Sequence, residues 1–253
     1  MKTSNSAALP LPEPAPRHTV ISPAILYWGT PVVLVTSENE DGTSNIAPMS
    51  SAWWLGRSCM LGLGAGSKTT QNILRTNECV LNLPSDSMGA YVNKLADTTG
   101  SNPVSDSKTS RNYKFVKDKW TRAGLHPQPS SFIAPLRIAE CPVQMECQVV
   151  QINGLGNDLP DRGGLLLAIE VRVLRIHILQ NLRMEGHPNR VDPDKWRPLI
   201  MSFQEFYGLR DGKLIPSVLG RIGEEKYRAF TRSDVKKLPG DDDDQIAVVE
   251  GGA

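Results

Sequence analysis

The sequence predicts a mainly β fold with peripheral helices, its strands largely antiparallel and curled into a barrel within one domain. Three observations predict it. Glycine and proline number 21 and 19 and are spread without a repeating period, as in a turn-rich β protein rather than a fibre or a helical array. Pro142 to Gln151 alternates, with Val143, Met145, Cys147 and Val149 set against Gln144, Glu146 and Gln148, so one face is expected to be buried and the other wet. Leu165 to Leu179 opposes Ile169, Val171 and Val173 to Glu170 and Arg172, then slips at Leu174, as an inserted bulge does. A long strand bent in this way suits a sheet that closes on itself.

The elements follow in chain order. Residues 1–20 are proline-rich and lack an apolar run, so they read as a flexible arm and not as a secretory or transit signal. Residues 21–232 are expected to form the domain, and residues 233–253, with Asp241 to Asp244 in a row, a solvated acidic tail. Thr19 to Ser37 is free of charge, but Pro23, Gly29 and Pro31 interrupt it, and it reads as turn plus strand rather than a membrane span. After Pro31 to Ser37, the pair Asp41-Gly42 supports a tight hairpin. Asn45 to Trp54 and Cys59 to Leu63 are the next strands, separated by Gly56-Arg57-Ser58. From Ser67 alternation stops, and a short helix is expected with Ile73 and Leu74 on its apolar side. Cys79 to Leu83 returns to strand. Asp97 to Arg122 is rich in charge, Ser and Thr and reads as a surface excursion that runs on to Pro135. Trp196 to Phe206 is a late strand and Gly223 to Phe230 a short helix.

Composition narrows the function. With 253 residues, 40% of them hydrophobic, about 70–75% of the unfolded surface can be hidden, and a core forms without staples. Lys and Arg total 28 against 27 Asp and Glu, so there is no electrostatic footprint for nucleic acid or an anionic membrane, and the expected partner is a small molecule. Cys59, Cys79, Cys141 and Cys147 form no C-x-x-C pair and sit in apolar runs as core side chains, which fits a reducing, cytoplasmic compartment. His18, His126, His177 and His187 stand at no metal-ligand spacing, so no metal is expected. No nucleophile-elbow, zincin or paired-carboxylate signature supports hydrolysis.

Two stretches stand out. Gly62-Leu-Gly-Ala-Gly-Ser-Lys68-Thr69-Thr70 is neither a dinucleotide fingerprint, whose third Gly would fall on Ser67, nor a P-loop, which needs Gly directly before Lys. What remains is a strand and a loose turn into a helix whose first amides, threonine hydroxyls and ammonium suit an anion. An ordinary Ser N-cap followed by surface polar residues is the other reading, and local spacing leaves both open. Asn45-Ile-Ala-Pro-Met-Ser-Ser-Ala-Trp-Trp54 puts a proline inside a strand, the mark of an edge or bulge where backbone groups can meet a ligand. Trp53 and Trp54 must point to opposite faces if extended, so one can be core while the other lines a cavity, core being the commoner place for an aromatic. An anion cradle and an apolar slot without an evident acid or base point to a cofactor that brings its own reactivity.

With Gly29-Thr-Pro-Val-Val-Leu-Val-Thr36 and Glu78-Cys-Val-Leu-Asn-Leu-Pro84, these stretches resemble the flavin reductase-like family of FMN-binding split-barrel proteins, the flavoredoxin relatives. Looser similarity continues through Leu95 to Gly100, Ala139 to Gln144 and Asp192 to Leu199. The resemblance implies an FMN-binding split β-barrel and a homodimer with FMN at the subunit interface. Met49, Ser50, Ser51 and Ala52 would meet the flavin ring edge and ribityl chain, and Ser67, Lys68, Thr69, Thr70 and Asn72 would hold its phosphate. Asn82 and Leu83 would approach the ring, and Trp196 to Met201 would reach the partner's flavin. The implied activity is that of an FMN-dependent oxidoreductase, with hydride passing from NADH or NADPH to the flavin and then to a small acceptor or a partner monooxygenase. The chain lacks the Gly-x-Arg-Phe segment and late His of short two-component reductases, leaving only His126 and His187 as substitutes. Two alternatives stay open: an FMN oxidoreductase acting on a bound small molecule, and a non-catalytic FMN carrier.

Overall fold

The computed structural model describes residues 17–161, 163–221, 223 and 226. Most of the expected arm, the acidic tail and most of the helix expected at Gly223 to Phe230 lie outside them.

The strands are β1 (Trp28–Pro31), β2 (Val33–Glu38), β3 (Ser44–Met49), β4 (Ala52–Leu55), β5 (Ser58–Gly64), β6 (Glu78–Leu83), β7 (Thr98–Thr99), β8 (Lys114–Phe115), β9 (Pro127–Gln128), β10 (Arg137–Ile138), β11 (Val143–Leu155), β12 (Leu166–Ile178), β13 (Ile200–Ser202) and β14 (Glu205–Tyr207). The helices are α1 (Lys68–Thr76), α2 (Gly89–Asn93), α3 (Asp106–Thr109) and α4 (Lys119–Ala123). Seven strands form one antiparallel sheet in the order β3-β2-β6-β11-β12-β5-β4. A second sheet orders β1-β13-β14, and two short pairs, β9-β10 and β7-β8, complete the set.

The two edges of the large sheet are consecutive in the chain. Met49 ends β3, Ala52 begins β4, and only Ser50 and Ser51 intervene. In a flat sheet six strand spacings would part those edges by about 29 Å, whereas three residue steps reach at most about 11 Å. The sheet must therefore roll until its edges nearly meet. It does so without pairing β3 to β4 and is thus a barrel split along one seam. The expected stretch Asn45 to Trp54 is accordingly two strands, broken at Ser50-Ser51.

The bulge read at Leu174 is present, since Glu146 pairs with Arg175 and Cys147 with Val173, leaving Leu174 extra. The β2–β3 hairpin turns at Gly42 with φ +78°, a conformation that glycine adopts without strain. Alternation splits β2 between two cores. Val33 and Val35 face the barrel interior with Leu61, Leu81, Cys147 and Ile169, and Leu34 faces a second cluster with Ile46, Leu95, Ala123 and Ile138. That second cluster corrects the reading of Asp97 to Pro135 as surface alone: Ala123 of α4 and Leu125 after it are buried in the cluster, with Trp120 packed against it. The wet face expected for Pro142 to Gln151 is corrected too, because Glu146 is buried beneath the end of the excursion and Gln144 beneath β10, which follows it. In α1 the buried side is Thr69, Thr70, Asn72 and Ile73, while Leu74 is exposed. All four cysteines are buried and free.

Candidate functional site

A cleft of about 150 Å³ opens along the seam, lined by Val35 of β2, Ala47, Pro48 and Met49 of β3, Gly62, Leu63 and Gly64 of β5, then Ser67 and Thr69. Its far wall is shaped by small residues. The Gly62 amide donates to the Ser51 carbonyl at 2.8 Å, and a β-carbon on Gly62 would stand 3.0 Å from Ser51 Cβ. A β-carbon on Gly64 or Gly66 would meet nothing within 4 Å, so the space beside them is open. Pro48 sits on the edge strand, where its missing N–H costs no ladder bond. Ser51 Oγ lies 2.7 Å from the Tyr27 hydroxyl, Ser50 is buried, and Ala52 packs into the barrel core. Trp54 packs against that core with Nε1 unpaired, while Trp53 is 55% exposed on the other face.

At the bottom of the cleft α1 begins. Ser67 has extended backbone and caps the helix, its Oγ accepting the Thr70 amide at 3.1 Å. The Thr70 hydroxyl donates to the Gly64 carbonyl at 2.8 Å and lies 2.8 Å from Ser67 Oγ. The ordinary cap is thus real, and it absorbs both hydroxyls. Among the described residues the amides of Lys68 and Thr69 have no acceptor. Two N–H groups at the positive end of a nine-residue helix therefore remain open to an anion. The Thr69 hydroxyl accepts from Asn45 Nδ2 at 3.0 Å, which ties α1 to β3. Lys68 Nζ lies 2.5 Å from Glu40 Oε2, and that ammonium chiefly holds the Glu40 carboxyl below its ordinary pKa.

The structure brings Met49, Ser67 and Thr69 to the cleft wall, with Ser50, Ser51 and Ala52 at the seam and Lys68 and Thr70 in the turn below. It does not bring Asn72 or Asn82 there. Asn72 Nδ2 donates to Ser37 Oγ at 3.1 Å and Asn39 Oδ1 at 2.8 Å, which ties α1 to β2. Asn82 Nδ2 donates to the Leu34 carbonyl at 3.0 Å while its Oδ1 accepts the Ile138 amide at 2.8 Å, joining β6 to β10. Leu83 packs in the barrel core, and Trp196 packs against that core. Sequence reading missed Val35, Ala47, Gly62, Leu63 and Gly64 as lining residues. For Gly62 and Gly64 the signal is the Gly-x-Gly spacing on one strand, since alternate strand positions share a face, and that spacing marks neither Leu63 nor Val35 and Ala47 on other strands. Nothing local marks Tyr27.

Two buried charges meet the excursion, Lys119 from within it and Glu146 from β11. Lys119 is 3% exposed and donates from Nζ to the Ile46 carbonyl of β3 at 2.8 Å. Burial, and then the charge of Lys108, push its pKa down to about 7. Fully buried Glu146 accepts the amides of Ser131 at 2.8 Å and Phe132 at 2.7 Å, and His177 Nε2 lies 2.7 Å away. Burial raises its carboxyl, but the Ser131 amide, His177 and the Phe132 amide outweigh burial and hold it below the ordinary value. His126 lies 2.5 Å from Glu140, and His187 is exposed. Among the described residues no group of three or more His, Cys, Asp or Glu could hold a metal, and no helix is long and apolar enough to cross a membrane.

Residues 27–209 match the flavin reductase like domain family. The uncharacterized protein YdfE of Bacillus subtilis (strain 168) is 37% identical over 193 residues, covering 76% of this chain and 90% of that protein. Among solved structures, flavoredoxin of Desulfovibrio vulgaris (Miyazaki F) is similar with a TM-score of 0.63 at 16% identity, over 81% of this chain and 98% of that one. Nitrilotriacetate monooxygenase component B from Bacillus cereus is similar with a TM-score of 0.59 at 20% identity, over 76% of this chain and 89% of that one. The seam between β3 and β4 and the extent of these matches lead to one conclusion: the chain belongs to the flavin reductase-like family, has its split-barrel fold, and falls among flavin-related oxidoreductases.

Proposed function

We propose that the protein is an FMN-dependent oxidoreductase of the NAD(P)H:flavin reductase type, working as a homodimer that closes two seam clefts. The observation that carries the reading is the pair of unpartnered amides, Lys68 and Thr69, at the helix end where the glycine-lined seam opens. A flavin mononucleotide fits that arrangement, with a dianion for the amides and an apolar ring for Val35, Ala47, Met49 and Leu63. FMN, when bound, supplies the hydride and electron transfer.

The chain's own work is to bind, orient and exclude water. Lys68 and Thr69 hold the phosphate by their backbone, and the Ser67–Thr70–Gly64 hydrogen bonds keep that turn in shape. Met49, Ser50, Ser51 and Ala52 flank the ring and ribityl chain, while Asn72 and Asn82 act behind them by fixing α1 and β6. The cleft of about 150 Å³ in one chain is small against the roughly 300–1,000 Å³ of ligand pockets, so at least half of the enclosure comes from elsewhere. Exposed Trp53 and Leu55 of β4 share an outer face, and exposed Leu166 pairs with Gly64 at the cleft. A second copy laid on this apolar surface would supply the missing wall.

The reading is tested with purified protein, which should be yellow with an FMN spectrum and bleach within seconds when NADH or NADPH is added without oxygen. A colourless chain that takes up no FMN at micromolar concentration would sink it. Slow bleaching by both nucleotides but fast bleaching by dithionite would favour a carrier or an oxidoreductase for a bound small molecule. The acceptor is a small molecule or a partner monooxygenase, the second supported by likeness to a monooxygenase component B.

A further inference from the structure

Tyr27 and Ser51 carry two hydroxyls 2.7 Å apart at the seam, and among the described residues neither hydroxyl has another partner. The pair is held from both ends. Ser51 is fixed through its carbonyl, which accepts the Gly62 amide at 2.8 Å, and Tyr27 through its own, which accepts the Phe203 amide at 3.0 Å. Phe203 and Gln204 are the two central residues of the β13–β14 hairpin, and both hold positive φ, +46° and +73°, where Asn-Gly is the usual choice. A phenylalanine in that region is strained and persists only where its surroundings hold it. Its ring meets Trp28 edge to face at 4.4 Å, and the β1–β13 register shifts between Trp28 and Thr30, at Gly29 with φ +90°. A glycine bulge of this kind re-aims the side chain beside it.

The Tyr27–Ser51 pair leaves one proton over. Two hydroxyls hold two protons, and only one of these lies between the oxygens. A phenol is a stronger acid than an alcohol, so Tyr27 donates and Ser51 accepts, which leaves the Ser51 O–H free to donate and fixes the direction from which it can. A β-carbon on Gly62 would lie 3.7 Å from Ser51 Oγ, so that oxygen stands beside the glycine-bared side of β5, which continues into open space at Gly64 and Gly66. Gly62 and Gly64 also line the cleft. At the α1 end of that cleft the Ser67 and Thr70 hydroxyls are both taken up by the helix cap. The donor on Ser51 is not.

We propose that Tyr27 is a positioning residue for the ligand of the seam: its hydroxyl orients that of Ser51 so that the serine donates to an acceptor atom at the edge of a planar heterocycle. The inference rests on the flavin reading above, in which Ser51 flanks the ring, and adds to it a residue that lies outside the cleft lining. Tyr27 acts only through Ser51. Without the phenolic oxygen, Ser51 Oγ turns among its staggered positions and the donor is no longer held ready for the ring.

The test is fluorescence titration of FMN and riboflavin with the full chain and with Y27F, S51A and Y27F/S51A, each checked for folding by urea unfolding. Y27F removes one oxygen and keeps the ring. It should weaken both flavins by the same factor, about two- to tenfold, because the contact it serves is to the ring and not to the phosphate. S51A should weaken them in the same way, and the double variant should bind no more weakly than S51A, since the tyrosine acts through that serine. A merely structural tyrosine would instead give factors that multiply. The inference is overturned, with the flavin reading intact, if the wild type binds flavin and Y27F binds it as tightly. The same holds if Y27F weakens flavin as much in the S51A background as in the wild type. A wild-type chain that takes up neither flavin would end both.

Discussion

Ser51 and Gly62 face each other where the β4–β5 pairing runs on past Ala52 to the seam of the barrel, joined by a 2.8 Å hydrogen bond from the glycine amide and packed so closely that a Cβ on Gly62 would lie 3.0 Å from that of Ser51. Ser51 lies in the link from β3 to β4 and Gly62 in β5, so this contact ties the link that spans the seam to the β5 side of the barrel. Gly62→Ala should cost about 1–3 kcal/mol, the usual range for overpacking, in urea unfolding. Gly64→Ala, whose Cβ meets nothing within 4 Å, should leave stability nearly unchanged yet weaken flavin, because that Cβ enters the cleft. Equal stability of the two variants would contradict the contact.

Phosphate recognition by the α1 amides predicts that Lys68→Pro, which removes one of those N–H groups at the first helical position, where proline is tolerated, weakens FMN far more than riboflavin in fluorescence titration, and less so at high salt, where charge is screened. Equal weakening of both flavins would place the anion elsewhere.

The apolar face beside the cleft predicts that Leu166→Asp shifts the protein from dimer to monomer in sedimentation, since a carboxylate cannot be buried unpaired there. Flavin affinity should fall with the dimer. A dimer that persists unchanged would mean the interface lies on another face.

Lys119 predicts a pH dependence of stability. Its folded pKa of about 7 lies below the ordinary 10.5, so between these values the unfolded chain binds the extra proton, and stability must rise with pH. In phosphate-free buffer the wild type should gain stability relative to Lys119→Met from pH 7 to 10, by urea unfolding at each pH. Parallel curves would show that Lys119 titrates normally.

Glu146 predicts the opposite limb. A carboxyl held below its ordinary value stabilises the fold above its unfolded pKa, and that contribution disappears as pH falls through the folded value. Glu146→Gln should cost about 1–3 kcal/mol at neutral pH, flatten the acid limb, and make Ser130 to Ala134 more sensitive to protease. Unchanged cleavage there would mean that the loop is held by other contacts.

Local chemistry written in consecutive residues was legible without a structure. The β2–β3 hairpin follows from Asp41-Gly42, the bulge from the slipped alternation at Leu174, and the start of α1 from Ser67, because each is decided within a few residues of itself. Family motifs carried the split barrel and the flavin. What alternation could not show was what covers a polar face: Gln144 and Glu146 are buried because residues more than five positions away fold back and give them partners. Nor could it show that Asn45 to Trp54 breaks into opposite edges of one sheet, that Asn72 and Asn82 serve the frame rather than the cleft, or that Lys119 lies under the excursion. Those outcomes depend on which strands meet after the sheet rolls, and pairing between distant segments is a property of the closed barrel that no single stretch of chain contains.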